Sequence, residues 1–469
     1  MVRDRGEPVT NPSRTLRWGV AAASGVAAVA CAVHAFFSPL LSSADEAAHI
    51  DYAYQVWHGH LPIFEDGLTI QPGFGVVPPV QWVAQHPPLF YALEAPVIGP
   101  FLDAGRFALG GYAGRALNAL LAAALVAVVV WAASQVLPGR RRIWLAAGLV
   151  TALNAWVIRV GGAVYNDLLA ALTATLVLGV TVRILRRGPS WLSLGALAAA
   201  AGAALATRAA LVVVVAVALA VLVVHAAATS RSVRRSLAAA GAAVGVLVLS
   251  VAPTAWFYLR NVHLTGSVLG GHPDWAAENL GRVTRPWSEV LVDPATWVNL
   301  WAVVGHDVLP RGVSTVWLLV VPALLAGAAV VVSAWLRHTR PGTAQPRTTA
   351  LTTAAVAAAL ALSVAAVVGT QVLYAAGGGG LNPRYLLPVL FPISLTIAYG
   401  LMASRRLGTT LLAAWCTLTT AELGAWAFRS LDTSGAVYPM PGMAALAAVV
   451  LGVVLTLVAV HRLVPEARD

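Results

Sequence analysis

Long uninterrupted runs of apolar residues dominate the chain, and short polar segments separate them. The hydrocarbon core of a bilayer is about 30 Å thick and takes roughly 20 apolar residues per helix. The runs therefore predict an all-α polytopic membrane protein with about twelve transmembrane helices. The predicted helices are 17–40, 112–137, 143–160, 164–185, 191–206, 209–228, 237–258, 314–336, 350–373, 386–403, 409–428 and 441–461.

The polar segments between these runs are unequal in length. Two are long, 41–111 and 259–313, and both are rich in Trp and Pro, which is typical of packed segments at a membrane interface. Loops of this size usually carry function, so we expect a catalytic loop at 41–111 and interfacial helices in both segments. The chain, 1–469, is predicted to be one membrane domain with no soluble C-terminal domain.

Composition and charge support a membrane location. The chain is 59% hydrophobic and 10% charged, whereas soluble domains carry about 25% charged residues. All 30 basic residues are Arg, and most of them fall in alternate loops that include both termini, while most acids fall in the others. By the positive-inside rule both termini are cytoplasmic. The net charge of +11 thus reports topology in the plasma membrane, not binding to nucleic acid.

The strongest chemical signal follows the first apolar run. Ser43 is a predicted helix N-cap, and Asp45, Glu46 and His49 then share one helical face by their spacing. A carboxylate held where the chain leaves the bilayer is suited to accept a proton in acid–base catalysis. The alternative is that these groups are solvated interfacial charges that cap the helix.

Further polar residues fall at predicted outer helix ends. His86 precedes Pro87 and Pro88, where a rigid turn is as good an interpretation as chemistry. Arginine is a favoured ligand for phosphate, so three outer Arg on separate helices are candidates to converge on one anionic headgroup, although Arg near a helix end also snorkels. The other candidates at these edges are Asn166, Asp167, Arg208, Arg260, Asn261, Arg384 and Tyr385.

In their order along the chain, seven short motifs resemble the GT-C superfamily of integral-membrane glycosyltransferases, which use polyprenyl-phosphate-linked sugars. The likeness is greatest to the bacterial branch related to protein O-mannosyltransferases and lipid A aminoarabinose transferases. The matching segments are 45–49 (DEAAH), 86–91 (HPPLFY), 114–118 (GRALN), 165–167 (YND), 207–208 (TR), 256–261 (WFYLRN) and 384–388 (RYLLP).

The resemblance implies an inverting hexosyl- or pentosyltransferase of the bacterial cell envelope, with its active site on the outer face. It implies a catalytic base at Asp45 or Glu46 and favours Asp45. It also implies that Arg260, Arg384 and Arg208 bind the donor phosphate. Possible further contacts to substrate or metal are His49, His86, Asn166, Asp167, Asn261 and Tyr385.

Three points stay open at this stage. Glu46 and His49 could bind a divalent metal, but two ligands are too few to name one. A twelve-helix transporter of the major-facilitator type is an alternative, although such proteins have two six-helix halves and a long middle loop. A non-catalytic membrane scaffold is the other alternative. No residue pattern indicates the sugar or the acceptor.

Overall fold

The computed structural model describes residues 12–230, 232–338, 346–433 and 438–463. In these ranges the chain is helical and has no β-strand. The first ten α-helices are α1 (Pro12–Phe37), α2 (Ala44–Trp57), α3 (Leu89–Asp103), α4 (Phe107–Val136), α5 (Arg141–Ala152), α6 (Ala155–Gly161), α7 (Asp167–Arg187), α8 (Trp191–Leu205), α9 (Val212–Thr229) and α10 (Val233–Val251).

Short helices precede the long ones in the second half. They are α11 (Ala255–Thr265), α12 (Pro273–Leu280), α13 (Trp287–Val292), α14 (Pro294–Trp301) and α15 (Arg311–Thr315). The remaining helices are α16 (Val321–His338), α17 (Arg347–Ala376), α18 (Leu390–Leu401), α19 (Gly408–Thr433) and α20 (Pro439–Arg462), and a 3₁₀ segment, Pro383–Val389, leads into α18.

The predicted polytopic architecture is confirmed. Within the described residues, ten helical segments are long and apolar enough to span a bilayer, and an eleventh is the pair α5 and α6, bent by 54°. The remaining predicted run forms α8, which has only 15 residues. The spans are Pro12–Phe37, Phe107–Val136, Asp167–Arg187, Ala209–Thr229, Val233–Val251, Arg311–Leu336, Arg347–Ala376, Pro383–Leu401, Gly408–Leu431 and Pro439–Arg462.

Two predicted helices are broken by local chemistry. The apolar run 237–258 predicts one continuous helix, but α10 ends at Val251 and α11 begins at Ala255. Pro253 lies in the break, and proline removes a helical N–H donor. Between α5 and α6, Asn154 accepts the backbone N–H groups of Trp156 and Val157 and so caps a new helix. In both cases one residue, Pro253 or Asn154, accounts for the end of one helix and the beginning of the next.

Helix ends that the sequence assigns to one side of the membrane meet in the structure. At the predicted inner side, Arg142 donates to the carbonyl of Val460 at 3.1 Å, and Arg186 donates to the carbonyl of Val136 at 2.5 Å. The predicted cytoplasmic termini, 1–11 and 464–469, lie outside the described residues.

The first long outer segment folds around one buried carboxylate. Asp51 accepts hydrogen bonds from the backbone and hydroxyl of Thr69, the backbone of Ile70, and the side-chain amides of Gln55 and Gln81, all at 2.7–2.9 Å. Because five donors satisfy it, this carboxylate can remain fully buried. The contacts tie the coil after α2 to α2 itself and give the segment a defined shape.

Candidate active site

The site begins where α1 ends and α2 starts. Ser43 caps α2, as predicted, because its side-chain oxygen accepts the backbone N–H of Asp45 at 3.2 Å. The first turn carries Asp45 and Glu46 next to each other. Adjacent helical residues point roughly 100° apart, and the two carboxylates therefore reach different partners.

Asp45 meets an arginine from the other end of the chain. Its Oδ2 lies 2.5 Å from Nη2 of Arg384, on the 3₁₀ segment that leads into α18. The Arg384 guanidinium also lies over the rings of Tyr165, at 4.9 Å, and Tyr385, at 5.5 Å. Asp45 keeps 29% of its side-chain surface exposed. The Asp45 carboxylate is thus oriented by the Arg384 guanidinium and remains partly exposed to solvent.

A second ion pair lies beside the first. Asp167, the first residue of α7, pairs with Arg208, which follows α8. The ring of Tyr385 lies 5.7 Å from the Arg208 guanidinium and also contacts Arg384. One tyrosine therefore links the two guanidinium groups. The structure brings together two carboxylates and two of the three predicted phosphate-binding arginines.

Asn166 has an unusual environment between these groups. It is fully buried, and among the described residues neither its amide nitrogen nor its amide oxygen has a hydrogen-bond partner. The loop that carries it is held from behind by Asn118, which donates to the carbonyls of Ala163 at 2.5 Å and Tyr165 at 3.2 Å. Native proteins rarely leave a buried amide unpaired, so this side chain is suited to a polar ligand.

Glu46 is buried, whereas Asp45 is partly exposed. It makes a two-point contact with the buried Arg115, with both N···O distances at 2.8 Å. Its oxygens also accept the backbone N–H groups of Leu41, at 2.9 Å, and Val164, at 3.2 Å. Arg115 donates further to the carbonyl groups that end α1. Glu46 therefore holds α1, α4 and the 163–166 loop together, and its oxygens are occupied.

His49 and His86 lie behind the two ion pairs as parallel rings, with centroids 6.3 Å apart. Nδ1 of His49 shares a 3.0 Å hydrogen bond with the hydroxyl of Tyr91. Burial lowers the pKa of both imidazoles well below the ordinary 6.5, and the positive charges of Arg208 and Arg384 lower it further. Both rings are therefore uncharged at neutral pH and add no charge to the site.

Arg260 and Asn261 reach the first outer segment from α11. Arg260 donates to the carbonyl of Pro62 at 2.7 Å and lies over the ring of Phe257. Asn261 donates to the carbonyl of Gln85 at 3.3 Å, next to His86. Arg260 thus lies against the first outer segment, and among the described residues no contact joins it to Arg384 or Arg208; it differs from those two arginines because it contacts a carbonyl group and a ring instead of a carboxylate.

The divalent metal left open by the sequence has no suitable ligand set among the described residues. In the described part of the chain, no group of three or more His, Cys, Asp or Glu side chains is placed to hold a metal ion. Glu46 is bound to Arg115 and His49 to Tyr91, so the two suggested ligands are engaged elsewhere. The residues present at this position therefore do not fit a divalent metal.

Two structural residues of the site have no role in the sequence-based prediction. Arg115 is an ionisable residue within an apolar run, and such residues are functional candidates by default. Its importance could therefore have been predicted from the sequence. Asp51 had no comparable signal, because four of its five hydrogen bonds come from coil residues, Thr69, Ile70 and Gln81, that follow no pattern.

The fold is similar to that of solved membrane glycosyltransferases. The apo oligosaccharyltransferase of Archaeoglobus fulgidus matches 92% of this chain and 56% of its own, with a TM-score of 0.50 and 14% identity. ArnT of Cupriavidus metallidurans, solved with undecaprenyl phosphate, matches 96% of this chain and 77% of its own, with a TM-score of 0.48 and 16% identity. No protein-family model and no curated protein sequence matches the chain.

The GT-C resemblance seen in the sequence is confirmed as a fold. Over 92% of its residues the chain shares the polytopic helical fold of the archaeal oligosaccharyltransferase. It spans about half the length of the archaeal oligosaccharyltransferase that it matches. At this level of identity the likeness establishes architecture, and the chemistry must be argued from the site itself.

Proposed function

We propose that the protein is a membrane glycosyltransferase that moves a sugar from a polyprenyl-phosphate donor to an acceptor hydroxyl at the outer face of the membrane. The observation that carries this proposal is the contact between Asp45 and Arg384. It pairs a partly exposed carboxylate, suited to act as a base, with a guanidinium suited to bind phosphate. Both groups lie at the end of membrane helices, where a lipid-linked donor has its headgroup.

Phosphate binding follows from the donor capacity of the arginines. A guanidinium has five N–H donors in a planar fork, and Arg384 spends one hydrogen bond on Asp45. Arg208, which is paired with Asp167 and shares the ring of Tyr385 with Arg384, provides further donors. A phosphate bound beside Arg384 competes with Asp45 for the guanidinium and leaves that carboxylate free to accept the proton of the acceptor hydroxyl.

The proposed reaction is one displacement. The acceptor oxygen attacks the anomeric carbon while Asp45 takes the proton of the hydroxyl group. The bond between the anomeric carbon and the phosphate oxygen breaks, and the polyprenyl phosphate leaves with the bonding electrons. Arg384 and Arg208 stabilise the charge on the leaving phosphate. The transition state is oxocarbenium-like, and a single displacement inverts the anomeric configuration.

Sugar transfer from a defined donor tests this function. The full chain in lipid nanodiscs is incubated with a radiolabelled sugar on undecaprenyl phosphate and with protein, glycan and glycolipid acceptors. We expect a labelled product of inverted configuration, resolved by NMR. Binding of undecaprenyl phosphate itself is measured in parallel, because it requires no acceptor. A chain that binds no polyprenyl phosphate and transfers no sugar would refute the proposal.

A further inference from the structure

His49 and Tyr91 form a buried hydrogen-bonded pair, and neither takes part in the displacement described above. Nδ1 of His49 lies 3.0 Å from the hydroxyl of Tyr91. His49 is 3% exposed and Tyr91 is 0% exposed. Buried polar groups are almost always hydrogen-bonded within the protein, so the positions of the protons on this pair follow from the partners that surround it.

The imidazole of His49 lies among the groups proposed to bind phosphate. Its edge contacts the ring of Tyr165, with centroids 5.3 Å apart, and the Arg384 guanidinium lies 4.9 Å from the centroid of the same tyrosine ring. The charges of Arg384 and Arg208 both act on the imidazole. Asp45 is one helical turn earlier on the same face of α2. The imidazole therefore belongs to the same site.

The available partners place the proton of this ring on Nε2. Burial and the two arginines lower the pKa of His49 well below 6.5, so the ring is neutral and carries one N–H. Among the described residues, the hydroxyl of Tyr91 has no hydrogen-bond partner other than Nδ1. If Nδ1 carried the proton, the buried O–H group would have no acceptor, which is unfavourable. The hydroxyl therefore donates to Nδ1, and the N–H of the ring is at Nε2.

Nε2 of His49 is left as an N–H group without an acceptor. In the part of the chain that the structure describes, the only hydrogen bond of this imidazole is the one at Nδ1. Next to the guanidinium groups of Arg384 and Arg208, the acceptor that fits is an anion, because one phosphate can accept from all three side chains. A neutral N–H group adds a hydrogen bond to that phosphate without adding a positive charge to the site.

We propose, on the basis of the glycosyl-transfer function above, that Nε2–H of His49 donates a hydrogen bond to the phosphate of the lipid-linked sugar and that Tyr91 is the positioning residue that fixes this tautomer. When the bond to the anomeric carbon breaks, the phosphate gains negative charge, and its hydrogen bond to Nε2–H becomes stronger. The proton stays on Nε2 throughout. His49 thus stabilises the leaving group together with Arg384 and Arg208.

Nitrogen NMR of the full chain in lipid nanodiscs tests the position of the proton. The chain carries isotope-labelled histidine, and the signals of His49 are assigned by their absence from His49→Gln. We expect an unprotonated Nδ1 and a protonated Nε2 before any ligand is added. Saturation with farnesyl phosphate, which has no sugar, should shift the Nε2 signal and leave Nδ1 unprotonated. In Tyr91→Phe, which lacks the hydroxyl, both tautomers of His49 should be present.

Two substitutions distinguish the two ring nitrogens by their affinity for farnesyl phosphate. The amide nitrogen of Gln is as many bonds from Cβ as Nε2 is, whereas the amide nitrogen of Asn is only as far from Cβ as Nδ1 is. We expect His49→Asn to weaken binding about tenfold and His49→Gln to bind within about twofold of the wild type. His60→Asn, in the exposed coil after α2, is the matched control and should bind as the wild type does.

The outcomes separate this inference from the function on which it rests. If farnesyl phosphate does not bind to the wild-type chain, the proposed function fails and the inference fails with it. If farnesyl phosphate binds, a protonated Nδ1 overturns the inference alone, and so does an Nε2 signal that saturation leaves unchanged. Equal affinities of His49→Asn and His49→Gln have the same consequence. The NMR measurement on the wild-type chain decides the question if His49→Asn does not fold.

Discussion

Glu46 and Arg115 form a buried two-point ion pair, with each oxygen 2.8 Å from a guanidinium nitrogen, although 69 residues separate them along the chain. Asp45, one residue earlier, reaches a different partner and remains partly open. The pair fixes the first turn of α2 and so holds the neighbouring carboxylate of Asp45 next to Arg384. Two adjacent acids therefore have different tasks, one structural and one available for chemistry.

Removal of Arg115 should destabilise the whole protein. Arg115→Met leaves Glu46 buried without a cation, and breaking a buried pair in this way costs about 3–5 kcal/mol. We expect a marked fall in the melting temperature in detergent and in the yield of monodisperse protein. Arg106→Met, at the exposed N-terminus of α4, is the matched control. Equal melting temperatures for the two variants would contradict this role.

Substitution of Asp45 should remove turnover and leave the fold intact. Asp45→Asn keeps the shape of the side chain but cannot accept the proton, so we expect transfer to slow about 10²–10⁴-fold. The rate is measured at saturating donor, together with binding of the donor. Asp66→Asn, in the exposed coil of the first outer segment, controls for loss of a carboxylate. Wild-type turnover in Asp45→Asn would rule out the base assignment.

Arg384 should affect donor binding through its geometry as well as its charge. Arg384→Lys keeps the positive charge but loses the planar fork and the stacking on Tyr165 and Tyr385. We expect the affinity for undecaprenyl phosphate to fall about tenfold in Arg384→Ala and by a smaller factor in Arg384→Lys. Titration of each variant with undecaprenyl phosphate at two salt concentrations measures the two affinities. Arg285→Ala, in an exposed pair with Asp293, should bind as the wild type does.

The buried histidines should make the protein sensitive to acid. The folded-state pKa of His49 and of His86 is lowered from 6.5, so the unfolded chain binds protons more readily there. The stability that they contribute is present above pH 6.5 and is lost as the pH falls below it. Melting curves over this range should show the decline. A His49→Gln and His86→Gln double variant that declines as steeply would contradict the explanation.

Glu94 should have the opposite dependence on pH. Burial raises its pKa well above 4.5, and its oxygens have no hydrogen-bond partner among the described residues. The folded state holds this proton more tightly, so the associated stability is present at low pH and is lost as the pH rises through the raised pKa. Glu94→Gln, which is uncharged at every pH, should raise the melting temperature at neutral pH. Glu65→Gln, on an exposed coil, is the control.

Much of the architecture could be predicted because it depends on local sequence. Apolar runs predict the membrane helices, and the Ser43 cap predicts the start of α2. The breaks at Pro253 and Asn154 are absent from the prediction, although both residues disfavour a continuous helix locally. The candidate outer Arg and acids are recognisable by residue type and position, but their pairing is not.

Membrane insertion was determined by the sequence alone, because the transfer of an apolar run into lipid depends on the run itself and not on distant residues. The division of labour between Asp45 and Glu46 was decided only by tertiary structure. Their partners, Arg384 and Arg115, lie 339 and 69 residues away and come from separate helical segments. Electrostatic pairing acts over a few ångströms in space, and a linear sequence does not contain those distances.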